Sequence, residues 1–300
     1  MKRRVFRLSA PALALAVVLA FSLGLGLVAR AAPVARGGVT PADLPENKHP
    51  DKKVTVSFSA PQATIDTATG TPLLKLALLV GDNYPGTSAQ LNYCVNDTDD
   101  VYQALTTKYG FPAANITYLK DQQCTDANIK AAIQWLIANS DANSTVVFYY
   151  SGHGSKSTTD VDGDGIRTDY SIVPYDLTRI WDAQLAALFR PLASQHAWLA
   201  FDSCYSGGLA VAGTTGPGRV DTFACTAKEY SYESSTTQHG YFTYFMVHLG
   251  MLQNKADANA DGIVTVEEAF NYTSANIGTL TKKQHPVMDD QVPGDLNPGS

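Results

Sequence analysis

Two short, continuously apolar runs constrain this chain more than any other feature. Val146-Val147-Phe148-Tyr149-Tyr150 and Ala197-Trp198-Leu199-Ala200-Phe201 are rich in β-forming residues and are halted by Ser, Gly or Asp. A strand without polar alternation is buried on both faces, as strands are in a parallel sheet covered by helices. Further strand-like runs fall at 73–80, 115–120 and 220–225, with helical patterns at 98–109, 126–138, 185–189, 242–252 and 266–277 between and after them. Strands alternating with helices imply right-handed crossovers, so an α/β domain with a mostly parallel central sheet flanked by helices is predicted.

The two apolar runs lead directly into Ser151-Gly152-His153-Gly154 and Asp202-Ser203-Cys204-Tyr205-Ser206-Gly207-Gly208. Chemistry in open α/β sheets gathers at the carboxyl ends of the strands, and here those ends offer one histidine and one cysteine. A thiol with an ordinary pKa near ~8.5 is mostly protonated at neutral pH, so it needs a nearby proton acceptor to become a nucleophile. A single histidine or cysteine after a strand is more often structural; the two together, each set among glycines that let a substrate backbone approach, point to a catalytic pair.

The cysteine context Asp-Ser-Cys-Tyr-Ser-Gly resembles the Asp-Ser-Cys-x-Ser-Gly of metacaspases and bacterial caspase-like peptidases. Leu91-Asn92-Tyr93-Cys94-Val95-Asn96-Asp97 is similar to the family's Gly-Cys-x-Asn-Asp stretch, with Tyr93 in place of glycine, and Gly240-Tyr241-Phe242-Thr243 and Gln284-His285-Pro286 also resemble bacterial members. The resemblance covers about 73–292. It implies a caspase-like (caspase-hemoglobinase) fold and a cysteine endopeptidase in which Cys204 attacks the scissile carbonyl, His153 handles protons, and the amides of Gly154 and Cys204 hold the oxyanion. It also implies cleavage after Arg or Lys, with Asp97 and Asp202 as pocket acids and Cys94 and Ser151 at the other pocket positions. A carboxylate is the partner a guanidinium requires. Asp97 could instead serve only as an acid at a helix N-terminus. Rival readings are the same chemistry with an Asp or Asn preference, and a calcium-stabilised pseudoenzyme that binds without cutting. The glycine-rich stretch 213–220 carries one basic residue, Arg219, in the region where caspases are divided into two subunits, and self-cleavage after Arg219 is expected.

The segment 257–268 satisfies an EF-hand loop at its diagnostic places, with Asp257, Asn259 and Asp261 at positions 1, 3 and 5, Gly262 at 6 and Glu268 at 12. Ile263 supplies a backbone carbonyl there and Thr265 a side chain or water, so Ca2+ is expected in a helix-loop-helix embedded near the C-terminus. Asp160, Asp162 and Asp164 begin a similar pattern, but position 12 is Ser171, which cannot chelate bidentately. That loop reads equally as a solvated Asp-Gly hairpin turn.

Lys2, Arg3, Arg4 and Arg7 precede an apolar stretch from about Ala10 to Ala29, followed by small residues before Ala32. This pattern predicts a signal peptide over 1–31 and a secreted protein, extracellular or periplasmic. The alternative is an uncleaved membrane anchor, because the stretch approaches the ~18 residues that can span a bilayer. Residues 32–70 read as a linker or pro-segment in which 54–58 could add an edge strand. The peptidase domain is placed at 71–292 and a tail at 293–300. Five of the 22 basic residues and none of the 28 acidic ones precede Ala32, leaving a net charge of −11 on the remainder. Such a chain is a poor partner for nucleic acid; polypeptide substrates, a monomer, and no membrane contact after signal cleavage are expected. Of the four cysteines, Cys204 must stay free, a Cys94–Cys124 bridge is compatible with neighbouring strands in the implied sheet, and Cys225 reads as a small buried hydrophobe.

Overall fold

The computed structural model describes residues 33–36, 54–65, 72–211 and 213–300. The expected signal peptide, 1–31, and most of 32–70 lie outside the described residues. Six strands form the central sheet, in the spatial order Val287–Asp290, Arg219–Phe223, His196–Asp202, Thr145–Ser151, Lys75–Gly81, Ile116–Lys120. All neighbours run parallel except Val287–Asp290, which pairs antiparallel with Arg219–Phe223 at one edge.

Alternate side chains of the continuous apolar strands go to opposite faces, and each face is covered. Ala77, Leu79, Val147, Tyr149, Trp198 and Ala200 share a core with Val101 and Leu105 of the helix Cys94–Thr107 and with Met246, Val266 and Phe270 of the later helices. Leu76, Leu78, Val146, Phe148, Leu199 and Phe201 pack on the other side against Ile129 and Ile133 of the helix Asp126–Ala138 and Leu185 and Phe189 of Asp182–Phe189. Double-sided burial is why these strands lack alternation. The caspase-like α/β expectation holds.

The outer segments differ from their sequence reading. Residues 54–58 add no strand; Val56 and Phe58 pack on the core, with Phe58 stacked on Trp135 at 5.8 Å between ring centroids. Residues 293–300 are no free tail: Leu296 is buried and its amide donates to Glu267 Oε2 at 2.8 Å, while Lys75 Nζ donates to the Gly299 carbonyl. A separate three-stranded antiparallel sheet, Gly154–Lys156, Tyr170–Ile172 and Ile180–Trp181, follows the histidine and carries the 160–164 loop in its first hairpin.

Candidate active site

The strand register places the histidine and the cysteine. Ser151 pairs with Asp202 where Thr145–Ser151 and His196–Asp202 run side by side, so His153 and Cys204 each lie two residues beyond the paired ends. Gly154 closes the approach between them. A Cβ there would overlap the Cys204 carbonyl oxygen, so only glycine lets the two tips come this close. The expected oxyanion residues Gly154 and Cys204 are thus backbone neighbours.

His153 is buried and firmly held. Its amide donates to Tyr84 Oη at 2.9 Å, its ring lies 4.7 Å from the Tyr84 ring, and Nε2 bonds to the Ala89 carbonyl at 2.7 Å. A carbonyl only accepts, so the hydrogen sits on Nε2. Nδ1 is buried without a hydrogen-bond partner. Burial is the main influence on its pKa and lowers it, outweighing the Ala89 and Arg36 backbone groups that favour the cation. The neutral ring therefore offers a basic Nδ1, as a proton acceptor should. The Cys204 thiol is likewise buried, and burial pushes its pKa well up, with Arg36 acting the other way. Sγ donates to the backbone carbonyl of Arg36 at 2.8 Å and lies 3.7 Å from the Ser231 carbonyl.

Arg36 itself fills an acidic pocket. Its side chain is fully buried, with Nη2 paired to Asp97 Oδ2, Nη1 3.2 Å from Asp202 Oδ1 and Nε 3.4 Å from Glu233 Oε2. Nη1 also donates to Ser151 Oγ at 2.8 Å and to the Asp202 carbonyl at 3.1 Å. Burial works against the cation, yet the surrounding acids, Asp202 foremost, hold its pKa well above the ordinary value. Each acid is braced in turn. Asp97, in the first turn of the helix Cys94–Thr107, accepts from Ser151 Oγ at 2.8 Å and from the Gly240 amide at 2.9 Å. Asp202 accepts from Ser231 Oγ and Thr243 Oγ1, both at 2.7 Å. Burial dominates at Asp97 and raises its pKa to about 6 against the pull of Arg36. Asp97 is therefore both a first-turn acid and a pocket wall. Cys94 begins the same helix beside Ser151, within the field of Arg36.

His153, Cys204, Gly154, Asp97, Asp202, Ser151 and Cys94 meet at one place, joined by Arg36, Glu233 and Tyr84, which no sequence motif marks. Glu233 carries no local signal. The Gly240-Tyr241-Phe242-Thr243 motif did carry one: Gly240 and Thr243 bond the pocket acids, and a Cβ at Gly240 would strike Asp202 and Arg36.

Two expectations are corrected. All four cysteines are free; Cys124 Sγ donates to the Gly81 carbonyl at 3.6 Å, whereas Cys94 faces the pocket. Arg219 is 4% exposed at the start of a central strand, and its guanidinium donates to the Thr214 carbonyl at 2.9 Å and the Phe189 carbonyl at 2.6 Å. Cleavage after it would require pulling that strand out of the sheet.

Of the acidic loops, the weaker by sequence converges better. Asp160, Asp162 and Asp164 gather with Asp169, their ligand atoms all within 4.8 Å of one another. Asp169 is fully buried and its Oδ1 lacks a partner, an arrangement that suits a hard cation. In 257–268 the side chains serve the loop backbone. Asp257 accepts from the Asp261 and Gly262 amides, Asn259 from that of Asp261, Asp261 from that of Ile263, and Glu268 from those of Ala258 and Thr265. Glu268 stands in the first turn of the helix Val266–Asn276, capped by Thr265, and the helix Tyr244–Leu252 precedes the loop. Asp100, His239 and His248 form a further converging group, in which Asp100 Oδ2 lies 3.0 Å from His239 Nε2 and 2.7 Å from His248 Nδ1.

The mostly parallel α/β sheet thus brings a cysteine and a histidine to adjacent strand tips, with an acidic pocket beside them. Residues 75–211 match the family model of the metacaspase, peptidase C14 domain. Among curated proteins it is 38% identical to Metacaspase-4 of Arabidopsis thaliana over 148 residues, covering 46% of this chain and 34% of that protein. It is 31% identical to Metacaspase-9 of the same plant over 188 residues, 59% of this chain and 58% of that one. Metacaspase-1 of Kluyveromyces lactis is 37% identical over 145 residues, 44% of this chain and 33% of the relative. The chain thus spans from a third to nearly three fifths of these relatives' lengths. A crystal structure of a Geobacter sulfurreducens protein shares the fold, with a TM-score of 0.56 at 18% identity over 75% of this chain and 97% of that one.

Proposed function

We propose that the protein is a cysteine-type endopeptidase that cuts polypeptides after Arg, and after Lys less well. The observation that carries this reading is an arginine side chain held by Asp97, Asp202 and Glu233 while its own carbonyl lies 2.8 Å from Cys204 Sγ. A planar guanidinium meets three carboxylates and Ser151 at once, which an ammonium cannot do. An aspartyl or asparaginyl side chain in the same pocket would leave the acids unpaired or repel them. In the reaction His153 Nδ1 takes the thiol proton, Cys204 Sγ attacks the carbonyl carbon, and the proton passes to the departing amine. Water then releases the acyl group from sulfur.

Calcium binding belongs to the same reading. Asp160, Asp162, Asp164 and the buried Asp169 offer oxygen ligands just beyond His153, and 257–268 offers Asp257, Asn259, Asp261, the Ile263 carbonyl, Thr265 and Glu268. Bound calcium would neutralise these acids and fix the hairpin that follows the histidine. Secretion behind a cleaved signal segment, and action as a monomer, complete the proposal. Cleavage of peptides differing only in the residue before the cut (Arg, Lys, Asp or Asn), measured with calcium and with chelator, tests it. Preference for Asp or Asn refutes the pocket assignment, and a thiol that no arginyl electrophile labels refutes the peptidase.

A further inference from the structure

We propose that residues 34–36 are an intramolecular substrate that blocks the active site until the enzyme cuts its own chain after Arg36. This rests on the peptidase reading above and adds how the site is regulated. Three independent features of an engaged substrate coincide at this segment. Val34–Ala35 forms an antiparallel strand with Tyr232–Ser234, pairing Val34 with Glu233 and Ala35 with Tyr232, and the Arg36 amide continues the ladder to the Ser231 carbonyl at 2.9 Å. Addition of an extended segment to an exposed sheet edge is a general mode of peptide recognition. The Arg36 side chain occupies the acidic pocket, and the Arg36 carbonyl accepts from the Cys204 thiol.

The pocket chemistry shows why this occupant is not incidental. Three fully buried carboxylates converge there, and buried carboxylates without a counter-cation are strongly disfavoured. Arg36 supplies the positive charge and meets all three. While it stays, no other arginyl side chain can enter and Cys204 is covered.

The same geometry makes the block self-removing. Cys204 sulfur forms a bond to the Arg36 carbonyl carbon, and the peptide bond that follows Arg36 breaks. The thiol proton goes by way of His153 to the departing amine of Gly37, and water hydrolyses the thioester to the Arg36 carboxylate and a free thiol. The new N-terminus is Gly37. The new carboxylate at Arg36 then faces no amide to hold it in the chain, and the short segment can leave by diffusion.

The test combines intact-mass and N-terminal analysis of the full chain with pocket binding in inactive variants. Wild-type protein is expected to mature to a chain beginning at Gly37, whereas Cys204→Ala and Arg36→Gln keep the bond after residue 36. Benzamidine, an amidine probe of the pocket, is expected to bind Cys204→Ala/Arg36→Ala at least tenfold more tightly than Cys204→Ala. Circular dichroism and thermal melting confirm that each variant is folded. A wild-type enzyme that cleaves arginyl peptides while its N-terminus remains upstream of Gly37, or that is cut elsewhere first, overturns self-processing but leaves the peptidase reading intact. Equal benzamidine affinity in the two folded inactive variants overturns the block. A wild-type chain that neither cleaves arginyl peptides nor reacts with an arginyl electrophile, even when a protease has removed residues up to Arg36, refutes the peptidase reading itself.

Discussion

The acids of the arginine pocket and the acids of the two loops carry the same functional group in opposite surroundings. Asp97, Asp202 and Glu233 are buried, and each is held by named donors from distant parts of the chain: Ser151, Gly240, Ser231, Thr243, Asn92. Asp160, Asp164 and Asp261 are exposed and Asp257 half-buried, and they bond mainly the backbone of their own loops. A carboxylate stripped of water demands a cation at a fixed place, and Arg36 supplies it in the pocket. A carboxylate that keeps its water exchanges it for a metal at small cost, and selection there falls on ligand count. Asp169 joins the two regimes, since it is buried yet belongs to a loop.

The sharpest way to break this contrast is to remove the chemistry that the pocket serves. Cys204→Ala and His153→Ala are each expected to reduce cleavage of an arginyl peptide at least ~10³-fold with unchanged circular dichroism. A residual rate within tenfold of wild type refutes the dyad. Next in size is the pocket itself. Asp202→Asn is expected to lower kcat/KM for arginyl substrates on the order of 10²-fold, because a buried guanidinium loses a charged partner; loss confined to the calcium response would assign Asp202 to the other regime.

The pH dependence separates the regimes further. Burial raises Asp97 to about 6 with an arginine in the pocket. Above that pH the carboxylate is ionised and pairs fully; as pH falls through it, protonation removes the attraction. Removing the guanidinium raises this pKa further, so KM for an arginyl substrate should rise several-fold as pH falls towards about 6 and level off below it, and the inflection should vanish in Asp97→Asn. A KM profile identical in the two enzymes breaks the assignment.

Smaller effects are expected at the loops. Calcium at a hundredfold above its Kd stabilises a folded chain by about 2.7 kcal/mol, or roughly 5 °C in Tm for a domain of this size. Glu268→Gln should erase most of the part due to 257–268, and Asp162→Asn or Asp169→Asn the part due to the hairpin, with any change in turnover following the hairpin variants alone. Melting curves that ignore calcium and chelator in the wild type remove the metal from both loops.

Much of this molecule was legible from sequence because its signals are local. Continuous apolar runs can only be strands covered on both sides, and the residues that stop them, Ser151-Gly152-His153-Gly154 and Asp202-Ser203-Cys204, sit at strand tips wherever such a sheet forms. The helix Asp126–Ala138 is likewise written in consecutive residues. What tertiary structure alone decided depends on long-range pairing. Glu233 reaches the pocket from a strand 31 positions beyond Asp202, Asp169 completes an acidic group that ligand spacing had assigned elsewhere, and Leu296 turns an apparent tail into core. Arg36 is the extreme case. Nothing in its neighbours distinguishes it from Arg219, yet one guanidinium is bound by three carboxylates at the nucleophile and the other by two backbone carbonyls inside the sheet. A charged side chain takes its meaning from the groups that replace its water, and those are chosen by the fold.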